Sequence, residues 1–429
     1  MPLSFPYLLA AALAVSQVTS ASPRPSPGTL NKAPSISART WPTDEVHGAG
    51  SALNGILALA EIYSKYAVLM PMDLEAALNR KQKRGEFQVS TPALDICGNK
   101  LLLPTTIGRT GRNIFNLIVD TASADLWVHS KITANPKAFQ AIYDARNSYS
   151  SWKVEDLTWE IQDPNGNTAS GAVYYDYVTV NGLTVEDQIV QVAETAPRNF
   201  QSLATVSGVM GLAFSSRSTV KPKPQPSFFD RALPQLDENV FTVDMKHCSP
   251  GQVDFGLVDE NAFNEYIRYT EVFNDQGYWN FTTHVLGALD INDMDNVELN
   301  ENNAEYVIAD TASDLIMLPM KYNSEYYRKI KDARYSQTYG GFVFPCASEL
   351  PDFTFTSGTW KITITGRYLK HSRVNDKSDI CFGGLQPSNN LGLNVIGSPA
   401  FKSTFVVFDP VKKVIGWVEK DLWDESPNW

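Results

Sequence analysis

Apolar and polar residues alternate along most of the chain after Thr91, and Gly, Asn and Pro repeatedly interrupt the alternation. A period of two residues is typical of a β-strand with one buried face. Residues 172–193 form a predicted hairpin, because Asn181-Gly182 separates two Val-rich runs and favours a two-residue turn. Residues 352–355 and 361–364 predict two further strands. The pattern as a whole predicts a mostly β protein with few helices.

A smaller number of segments show helical spacing of apolar residues. Residues 53–70 and 72–78 repeat Leu, Ile, Ala and Tyr at helical intervals, and residues 227–233 and 324–333 predict two short helices. Residues 23–51 are rich in Pro, Ser and Gly and have no apolar period, so we predict that they are flexible.

The chain contains one apolar phrase twice. Residues 117–128 read LIVDTASADLWV, and residues 306–319 read YVIADTASDLIMLP. Each copy predicts a buried strand that ends in an Asp-Thr-Ala-Ser turn, with Asp120 or Asp310 at its tip. For either copy alone, an ordinary turn aspartate is the usual interpretation. The repetition makes these two aspartates candidates for a facing pair.

A second motif follows each copy of the phrase. Val209-Met210-Gly211 comes after the first copy, and Val395-Ile396-Gly397 comes at a similar distance after the second. Two halves with the same order of motifs indicate a duplicated lobe, whose carboxylates would meet near a pseudo-two-fold axis.

Composition and charge narrow the functional class. The chain of 429 residues is long enough for a large core, and 43% apolar residues are typical of a globular protein. Its formal net charge of -11, with no basic stripe, argues against binding of nucleic acid or anionic membranes.

The first 21 residues predict an export signal. A short apolar run is followed by small residues, as in a secretory signal peptide, and it is too short for a membrane span. No later run is long enough either. We therefore expect a secreted, extracellular protein without membrane contact, with delivery to a vacuole as the open alternative.

Residues 22–84 differ in charge from the rest of the chain. Residues 23–84 carry eight basic and five acidic side chains, a net of +3, which leaves -14 for the remainder. Such a segment would be held to an acidic body at neutral pH and released when carboxylates are protonated. We predict cleavage by a processing protease at Lys83-Arg84, although a charge run is often only a solvated face.

The chain has four cysteines, Cys97, Cys248, Cys346 and Cys381. In an exported chain an even number favours disulfides, and no spacing of Cys or His indicates a metal site, so we expect neither metal nor cofactor. Asn280-Phe281-Thr282 is a sequon, which makes Asn280 a candidate for glycosylation.

Further phrases carry a resemblance to a known family. Residues 208–215 read GVMGLAFS, residues 227–230 read SFFD, residues 253–256 read VDFG and residues 405–409 read FVVFD. Together with the paired aspartates, these phrases resemble secreted fungal pepsin-like aspartic proteases from about residue 50 to residue 420. The resemblance implies an all-β, bilobal fold with a central cleft, an N-terminal lobe at residues 85–264 and a C-terminal lobe at residues 265–429.

The resemblance also implies an inhibitory propeptide at residues 22–84, in which Lys65-Tyr66 is similar to the pair that covers the aspartates. It implies a disulfide between Cys346 and Cys381. Pairing of Cys97 with Cys248 is then an open option that the family pattern does not support. We expect a monomer that acts on proteins or peptides.

The family's chemistry is that of an aspartic endopeptidase. Two carboxylates a few ångströms apart share one proton, so one acts as a base and the other as an acid. The resemblance assigns these roles to Asp120 and Asp310, which would activate a water molecule at acid pH. It implies that Thr121 and Thr311 brace the two loops, and that Ser123 and Ser313 hydrogen-bond the carboxylates.

The sequence departs from the family around the cleft. Both glycines of Asp-Thr-Gly are replaced, by Ala122 and Ala312, and Ser398 stands where an Asp is common. The flap normally reads Tyr-Gly-Asp-Gly but here comprises Asp163, Pro164, Asn165 and Gly166, followed by Thr168. Added methyl groups could crowd a substrate, and the flap lacks its tyrosine.

These departures leave alternatives to a protease. In one, a pepsin-like fold has lost proteolysis and uses its cleft for ligand binding or for acid/base chemistry on a small molecule. In another, the chain is a structural or inhibitor-like binding protein. We favour the endopeptidase, because both aspartates, both threonines, the export signal and the propeptide-like segment are present.

Overall fold

The protein is described from a computed structural model. It describes residues 36–39, 55–83, 100–109, 113–133, 141–162, 168–196, 206–247, 251–273, 275–288, 303–375 and 378–422. Several predicted features lie outside these ranges: the signal peptide at residues 1–21, Arg84, Cys97, Cys248, and the flap residues Asp163, Pro164, Asn165 and Gly166.

Strands dominate the described residues. The first twelve are β1 Ile36–Arg39, β2 Leu102–Ile107, β3 Ile114–Asp120, β4 Leu126–His129, β5 Trp152–Gln162, β6 Thr168–Val180, β7 Leu183–Thr195, β8 Gly208–Gly211, β9 Val220–Lys221, β10 Phe241–Asp244, β11 Gln252–Phe255 and β12 Arg268–Glu271. The others are β13 Asn280–Gly287, β14 Ala304–Ala309, β15 Ile316–Leu318, β16 Arg334–Ser336, β17 Gly341–Pro345, β18 Phe353–Ser357, β19 Trp360–Ile364, β20 Lys370–Arg373, β21 Ile380–Gly383, β22 Leu385–Pro387, β23 Asn394–Ile396, β24 Thr404–Asp409 and β25 Val414–Glu419.

The described helices are short. They are α1 Gly55–Lys65, α2 Met72–Lys83, α3 Phe228–Ala232, α4 Met320–Arg328 and α5 Ser398–Ser403. Single turns of 3-10 helix occur at Ala145–Asn147, Ser215–Arg217, Leu233–Gln235, Glu260–Ala262 and Gly366–Leu369.

Four sheets organise these strands. An eight-stranded sheet has the order β2-β3-β8-β4-β7-β6-β5-β9, and it closes on itself because β2 also pairs with β6. A seven-stranded sheet, β19-β18-β13-β14-β23-β15-β22, lies in the second half of the chain with a four-stranded sheet, β16-β17-β21-β20. The fourth sheet, β1-β11-β10-β24-β25-β12, draws strands from both halves. The described residues thus form the mostly β fold that the sequence predicted.

Local sequence signals placed most of the predicted elements correctly. The hairpin of β6 and β7 is confirmed, and its turn residues Asn181 and Gly182 have φ of 45° and 94°, as the Asn-Gly pair favours. The helices at residues 53–70 and 72–78 correspond to α1 and α2, and the short helix at residues 227–233 corresponds to α3.

Two predicted boundaries are corrected by the structure. The helix expected at residues 324–333 runs from Met320 to Arg328. Pro319 stands at its N-cap position, where the missing N–H of proline leaves no helical hydrogen bond unmade. Residues 23–51 contain β1, which pairs with β11 through four residue pairs and therefore interrupts the segment that we expected to be flexible. Residues 36–39 alternate apolar and polar side chains, but four residues within a segment rich in Pro, Ser and Gly are too few to predict a strand. The strand depends on its pairing with β11.

One large core connects the two halves of the chain. Trp279, 1% exposed, donates its indole N–H to the Leu212 carbonyl oxygen at 2.8 Å. Phe241 of β10 stacks on Phe408 of β24 with ring centroids 4.5 Å apart. The fourth sheet therefore joins the halves through aromatic packing, which fixes the two Asp-Thr-Ala-Ser loops relative to each other.

The Cys346–Cys381 disulfide is present and closes a span of 35 residues between the ends of β17 and β21. No helix in the described parts of the chain has the length and apolar character that a membrane span requires.

Candidate active site

Asp120 and Asp310 occupy equivalent places in the two halves. Asp120 is the last residue of β3, which runs parallel to β8, and Asp310 directly follows β14, which runs parallel to β23. In each half the parallel partner also pairs, on its other side, with an antiparallel strand. These pairs are β8 with β4 and β23 with β15. The repeated phrase therefore forms the same strand crossing twice, with one carboxylate at the end of each.

Gly211 and Gly397, which end the two Val-x-Gly motifs, allow this arrangement of strands. A Cβ at Gly211 would lie 2.5 Å from the Asp125 amide nitrogen, and a Cβ at Gly397 would lie 2.2 Å from the Leu315 carbonyl oxygen. Any side chain there would push the loop that carries the aspartate away from its neighbouring strand. These glycines therefore serve close backbone packing next to each loop.

Thr121 and Thr311 tie the two loops together. The Thr121 hydroxyl donates to the Ala309 carbonyl oxygen at 2.8 Å and accepts from the Thr311 amide at 3.0 Å. The Thr311 hydroxyl donates to the Val119 carbonyl oxygen at 2.7 Å and accepts from the Thr121 amide at 3.2 Å. Both threonines are fully buried. This reciprocal set of four hydrogen bonds fixes the spacing of the two aspartates.

Each carboxylate is held in the same way by its own loop. Asp120 accepts from the Ala122 amide at 2.8 Å and from the Ser123 hydroxyl at 2.9 Å. Asp310 accepts from the Ala312 amide at 2.9 Å and from the Ser313 hydroxyl at 2.5 Å. The exposed fractions of Asp120 and Asp310 are 6% and 0%. Both carboxylates are thus held in a fixed orientation by their own loops.

Lys65, the last residue of α1, bridges the two carboxylates. Its Nζ lies 2.8 Å from Asp120 Oδ1 and 2.8 Å from both Asp310 oxygens. The Tyr66 hydroxyl donates to Asp310 Oδ2 at 2.7 Å. A single atom therefore contacts both carboxylates, so the two acids are close enough to act on one water molecule.

The ion pair shifts the titration of its members. Burial alone would raise the pKa of Asp310, but the charge of Lys65 and hydrogen bonds from Lys65, Ser313 and Tyr66 hold it below the ordinary value. Burial opposes the charged form of Lys65, yet the two aspartates raise the pKa of its ammonium above the ordinary value. The site thus strongly favours the charged pair at neutral pH.

The methyl groups of Ala122 and Ala312 leave these hydrogen bonds intact. Ala122 is 3% exposed and packs in a small cluster with Tyr278 and Ile308. Ala312 packs against the cluster that contains Ile118 and Trp127. Neither alanine has a positive φ, so the backbone of these loops does not require glycine.

Sequence analysis missed Lys100, which supports the second loop. Its Nζ donates to the Ala312 carbonyl oxygen at 2.7 Å and pairs with Asp314 Oδ1 at 2.9 Å and with Glu61 Oε2 at 3.6 Å. Burial would lower the pKa of Lys100, but Asp314, Glu61 and Asp310 raise it above the ordinary value. A lone Lys before a strand gives no sequence signal, because its partners lie far away in the chain.

Tyr278 is a second residue that sequence analysis missed. It is 6% exposed, and its ring centroid lies 6.0 Å from that of Tyr66. The pKa of its phenol is raised by burial, while Arg217 and Lys65 oppose that rise and the two aspartates add to it. A tyrosine in an aromatic run is usually a core residue, and only the fold brings it to the carboxylates.

The remaining predicted site residues have varied surroundings. Ser398, at the start of α5, is buried and donates its amide to the Ser313 carbonyl oxygen at 2.8 Å. Thr168 begins β6, and the flap turn that precedes it lies outside the described residues. Asn280 begins β13, is half-buried and pairs with Ile308, and its glycosylation stays a prediction.

The chain matches known proteins along most of its length. The family model of eukaryotic aspartyl proteases matches residues 102–420. Endothiapepsin of Cryphonectria parasitica is 35% identical over 387 residues, which cover 89% of this chain and 90% of that protein. Aspergillopepsin-1 of Aspergillus fumigatus is 37% identical over 351 residues, 82% of this chain and 84% of that protein. Penicillopepsin-3 of Penicillium janthinellum is 36% identical over 373 residues, 86% and 90% of the two chains.

Proposed function

Because the chain belongs to the eukaryotic aspartyl protease family and is an aspartic-type endopeptidase, we propose that Asp120 and Asp310 hydrolyse peptide bonds at acid pH in an exported enzyme. In this proposal residues 1–21 are an export signal and residues 22–84 an inhibitory propeptide. Residues 85–264 and 265–429 form the two lobes, and processing occurs at Lys83-Arg84.

The proposed mechanism uses one proton shared by the two carboxylates. The ionised carboxylate takes a proton from a water molecule, whose oxygen attacks the carbonyl carbon of the scissile peptide bond. The protonated carboxylate hydrogen-bonds the carbonyl oxygen during this attack. A proton then passes to the peptide nitrogen, the carbon–nitrogen bond breaks, and an acid and an amine are released. Thr121, Thr311, Ser123 and Ser313 orient the dyad throughout.

The position of the Lys65 ammonium is the observation that carries this proposal. Its nitrogen contacts Asp120 and Asp310 at 2.8 Å, the distance at which a bridging water would hydrogen-bond both. Lys65 occupies the place of the nucleophile, so the chain with residues 55–83 in place is inhibited.

Contacts away from the dyad support the inhibitory role of this segment. The Arg80 guanidinium donates to the Thr338 carbonyl oxygen at 2.8 Å, and the Tyr335 hydroxyl donates to Asp73 at 2.6 Å. Ile56, Leu59 and Ile62 of α1 pack in a cluster with Phe382 of β21. The segment is therefore bound by apolar and polar contacts, as a propeptide that folds with its enzyme would be.

Incubation of the purified precursor with a denatured protein from about pH 3 to 7 tests the function. We expect the precursor to be processed below about pH 4 and the processed enzyme to cleave the denatured protein near pH 3 to 5, because the dyad needs one shared proton. Asp310→Asn should reduce cleavage at least about 1000-fold, since the acid/base pair is lost.

Asp379→Asn provides the matched control, because Asp379 is a fully exposed carboxylate that pairs only loosely with Arg373, at 3.6 Å. It should cleave as the wild-type protein does. Equal cleavage by wild type and Asp310→Asn, or no cleavage by the processed wild type at any pH, would overturn the proposal.

A further inference from the structure

Tyr278 connects the dyad to a positive charge at the protein surface. Its ring is packed against Ala122 and Ile308 beside the carboxylates, with Tyr66 close by. The guanidinium carbon of Arg217 lies 4.1 Å from the centroid of the same ring. This distance is within the range of a cation–π interaction, so one tyrosine contacts both the inhibitory segment and an arginine.

The backbone around Gly277 fixes Arg217 in this position. Arg217 ends the 3-10 turn Ser215–Arg217, and the Phe214 amide before this turn donates to the Gly277 carbonyl oxygen at 3.2 Å. Gly277 has a φ of 76°, and a Cβ there would lie 2.7 Å from Arg217 Cγ. Any other residue at position 277 would displace the arginine, so the glycine lets its aliphatic stem lie next to Tyr278.

The charge of Arg217 has no acidic partner among the described residues. Its side chain is exposed, whereas Arg231 pairs with Asp187 at 2.9 Å. The charged groups that face Tyr278 are Arg217, Lys65 and the two aspartates. Because Lys65 leaves with the inhibitory segment, Arg217 is the remaining cation in this set.

Tyr66 marks where a substrate side chain would lie. Its ring fills a cluster with Tyr278, Ile308 and Leu393 while its hydroxyl contacts Asp310. Ile308 and Leu393 also line an open cavity of about 960 Å³, together with Gln276. Removal of residues 55–83 would leave an apolar site beside the dyad for an aromatic or aliphatic side chain.

We propose that Arg217 is a specificity-determining residue, which favours substrates with an acidic side chain near the aromatic or aliphatic residue that occupies the Tyr66 site. This inference rests on the proposed endopeptidase function. A carboxylate that reaches the guanidinium can form two parallel hydrogen bonds, whereas a basic side chain is repelled. The stacked ring holds the guanidinium in place, so little side-chain entropy is lost when the carboxylate binds.

Cleavage of internally quenched octapeptides tests the proposal. Each peptide has a central Phe–Phe bond, and one position at a time carries Glu, Gln or Lys. At pH 5 the processed wild-type enzyme should show about a fivefold higher kcat/KM for Glu than for Gln at one position, the scale of an exposed ion pair, and a lower value for Lys. Near pH 3 the ratio should fall towards 1, because the peptide carboxyl, with an ordinary pKa of about 4.3, is then protonated.

Variants of Arg217 separate charge from shape. Arg217→Leu should bring the Glu/Gln ratio to about 1, and Arg217→Glu should favour the Lys peptide. Arg217→Lys should keep part of the preference, because it keeps the charge. Arg109→Leu is the matched control: Arg109 is also exposed and lies over a tyrosine ring, that of Tyr177 at 5.6 Å, and it should retain the wild-type ratio.

Cleavage of the Gln peptides without any Glu preference, or a preference that persists in Arg217→Leu, would overturn this inference and leave the proposed function standing. Failure of the processed enzyme to cleave every peptide would overturn the proposed function, and this inference with it.

Discussion

The replacement of both Asp-Thr-Gly glycines by alanine is the main chemical departure at the level of single residues. The backbone amides of Ala122 and Ala312 still donate to the aspartates, and neither residue has a positive φ. The methyl of Ala122 is buried against Tyr278 and Ile308, so it contributes to packing beside the dyad. The loop geometry that orients the carboxylates thus does not depend on glycine.

Ala122→Gly should therefore destabilise the protein and leave its peptide-cleaving activity nearly unchanged. Removal of a buried methyl and the added chain entropy of glycine together cost about 1 to 2 kcal/mol in free energy of unfolding. Urea denaturation measures this change, and peptide cleavage should show kcat/KM within about threefold of wild type. A rise of tenfold or more would show instead that the methyl obstructs the substrate.

Lys100 should tune the dyad in the processed enzyme. Its charge interacts with Asp310, and it holds the Ala312 carbonyl oxygen and Asp314. In Lys100→Met the loss of a nearby cation should raise the pKa of Asp310, because its charged form is less stabilised. We expect the acid limb of the kcat/KM profile to move to higher pH by about 0.3 to 1 unit.

Lys131→Met is the control for this profile, since the exposed Lys131 pairs with Asp144 at the surface. It should leave the acid limb in place. An unmoved acid limb in Lys100→Met would contradict the expected effect of the Lys100 charge on Asp310.

At the scale of elements, α1 links a packing contact at its first residue to the two aspartates at its last residue. Gly55 at its start packs on Phe382, where a Cβ would lie 2.2 Å from a ring carbon, and Lys65 at its end bridges the aspartates. Buried residues along the helix, including Ile56, Leu59 and Ile62, contact the same cluster. We therefore expect a displacement at the start of α1 to move Lys65 as well.

Gly55→Ala in the precursor tests this coupling. The added methyl must push α1 away from Phe382, and overpacking of this kind costs about 1 to 3 kcal/mol. The segment should open more often, so the precursor should be processed about tenfold faster at about pH 3.5, as followed by gel electrophoresis. Glu75→Ala, at an exposed position of α2, should not alter the rate. Equal rates for both variants would argue that α1 does not restrain Lys65.

At the scale of the whole molecule, the ion pair between Lys65 and the two aspartates should make the proposed precursor sensitive to pH. The pKa of Asp310 in the folded precursor is below the ordinary value of 3.8. The ionised carboxylate therefore stabilises the folded precursor at pH values above the ordinary pKa. This contribution is lost as the pH falls through the lowered pKa. In the proposed mechanism, acid would weaken the contact that blocks the site and would also supply the shared proton that the reaction needs.

We therefore expect the precursor to remain intact at pH 7 and to be processed below about pH 4. Lys65→Met should be processed at higher pH, because the ion pair is absent. Arg80→Met should keep the wild-type pH threshold even if it loosens the segment, since the Arg80 guanidinium donates to the carbonyl oxygens of Gln337 and Thr338, which do not titrate. Mass spectrometry of samples held at each pH measures the threshold. Processing of the wild type at pH 7 as fast as at pH 3 would contradict this account.

The sequence by itself determined the features that local patterns encode. The repeated phrase identified Asp120 and Asp310, the Asn181-Gly182 turn located its hairpin, and apolar spacing located α1 and α2. Each of these signals arises within a few consecutive residues, because strand alternation, turn chemistry and helical spacing are local properties of the backbone.

Only the tertiary structure decided which distant residues share the cleft. Lys100 meets Asp314, and Arg217 meets Tyr278, although each pair is widely separated in the chain. Similarly, residues 36–39 form strand β1 because they pair with β11. These contacts follow from how the sheets pack around a common aromatic core. A periodic sequence pattern predicts that a residue is buried, but it does not identify the residue against which it packs.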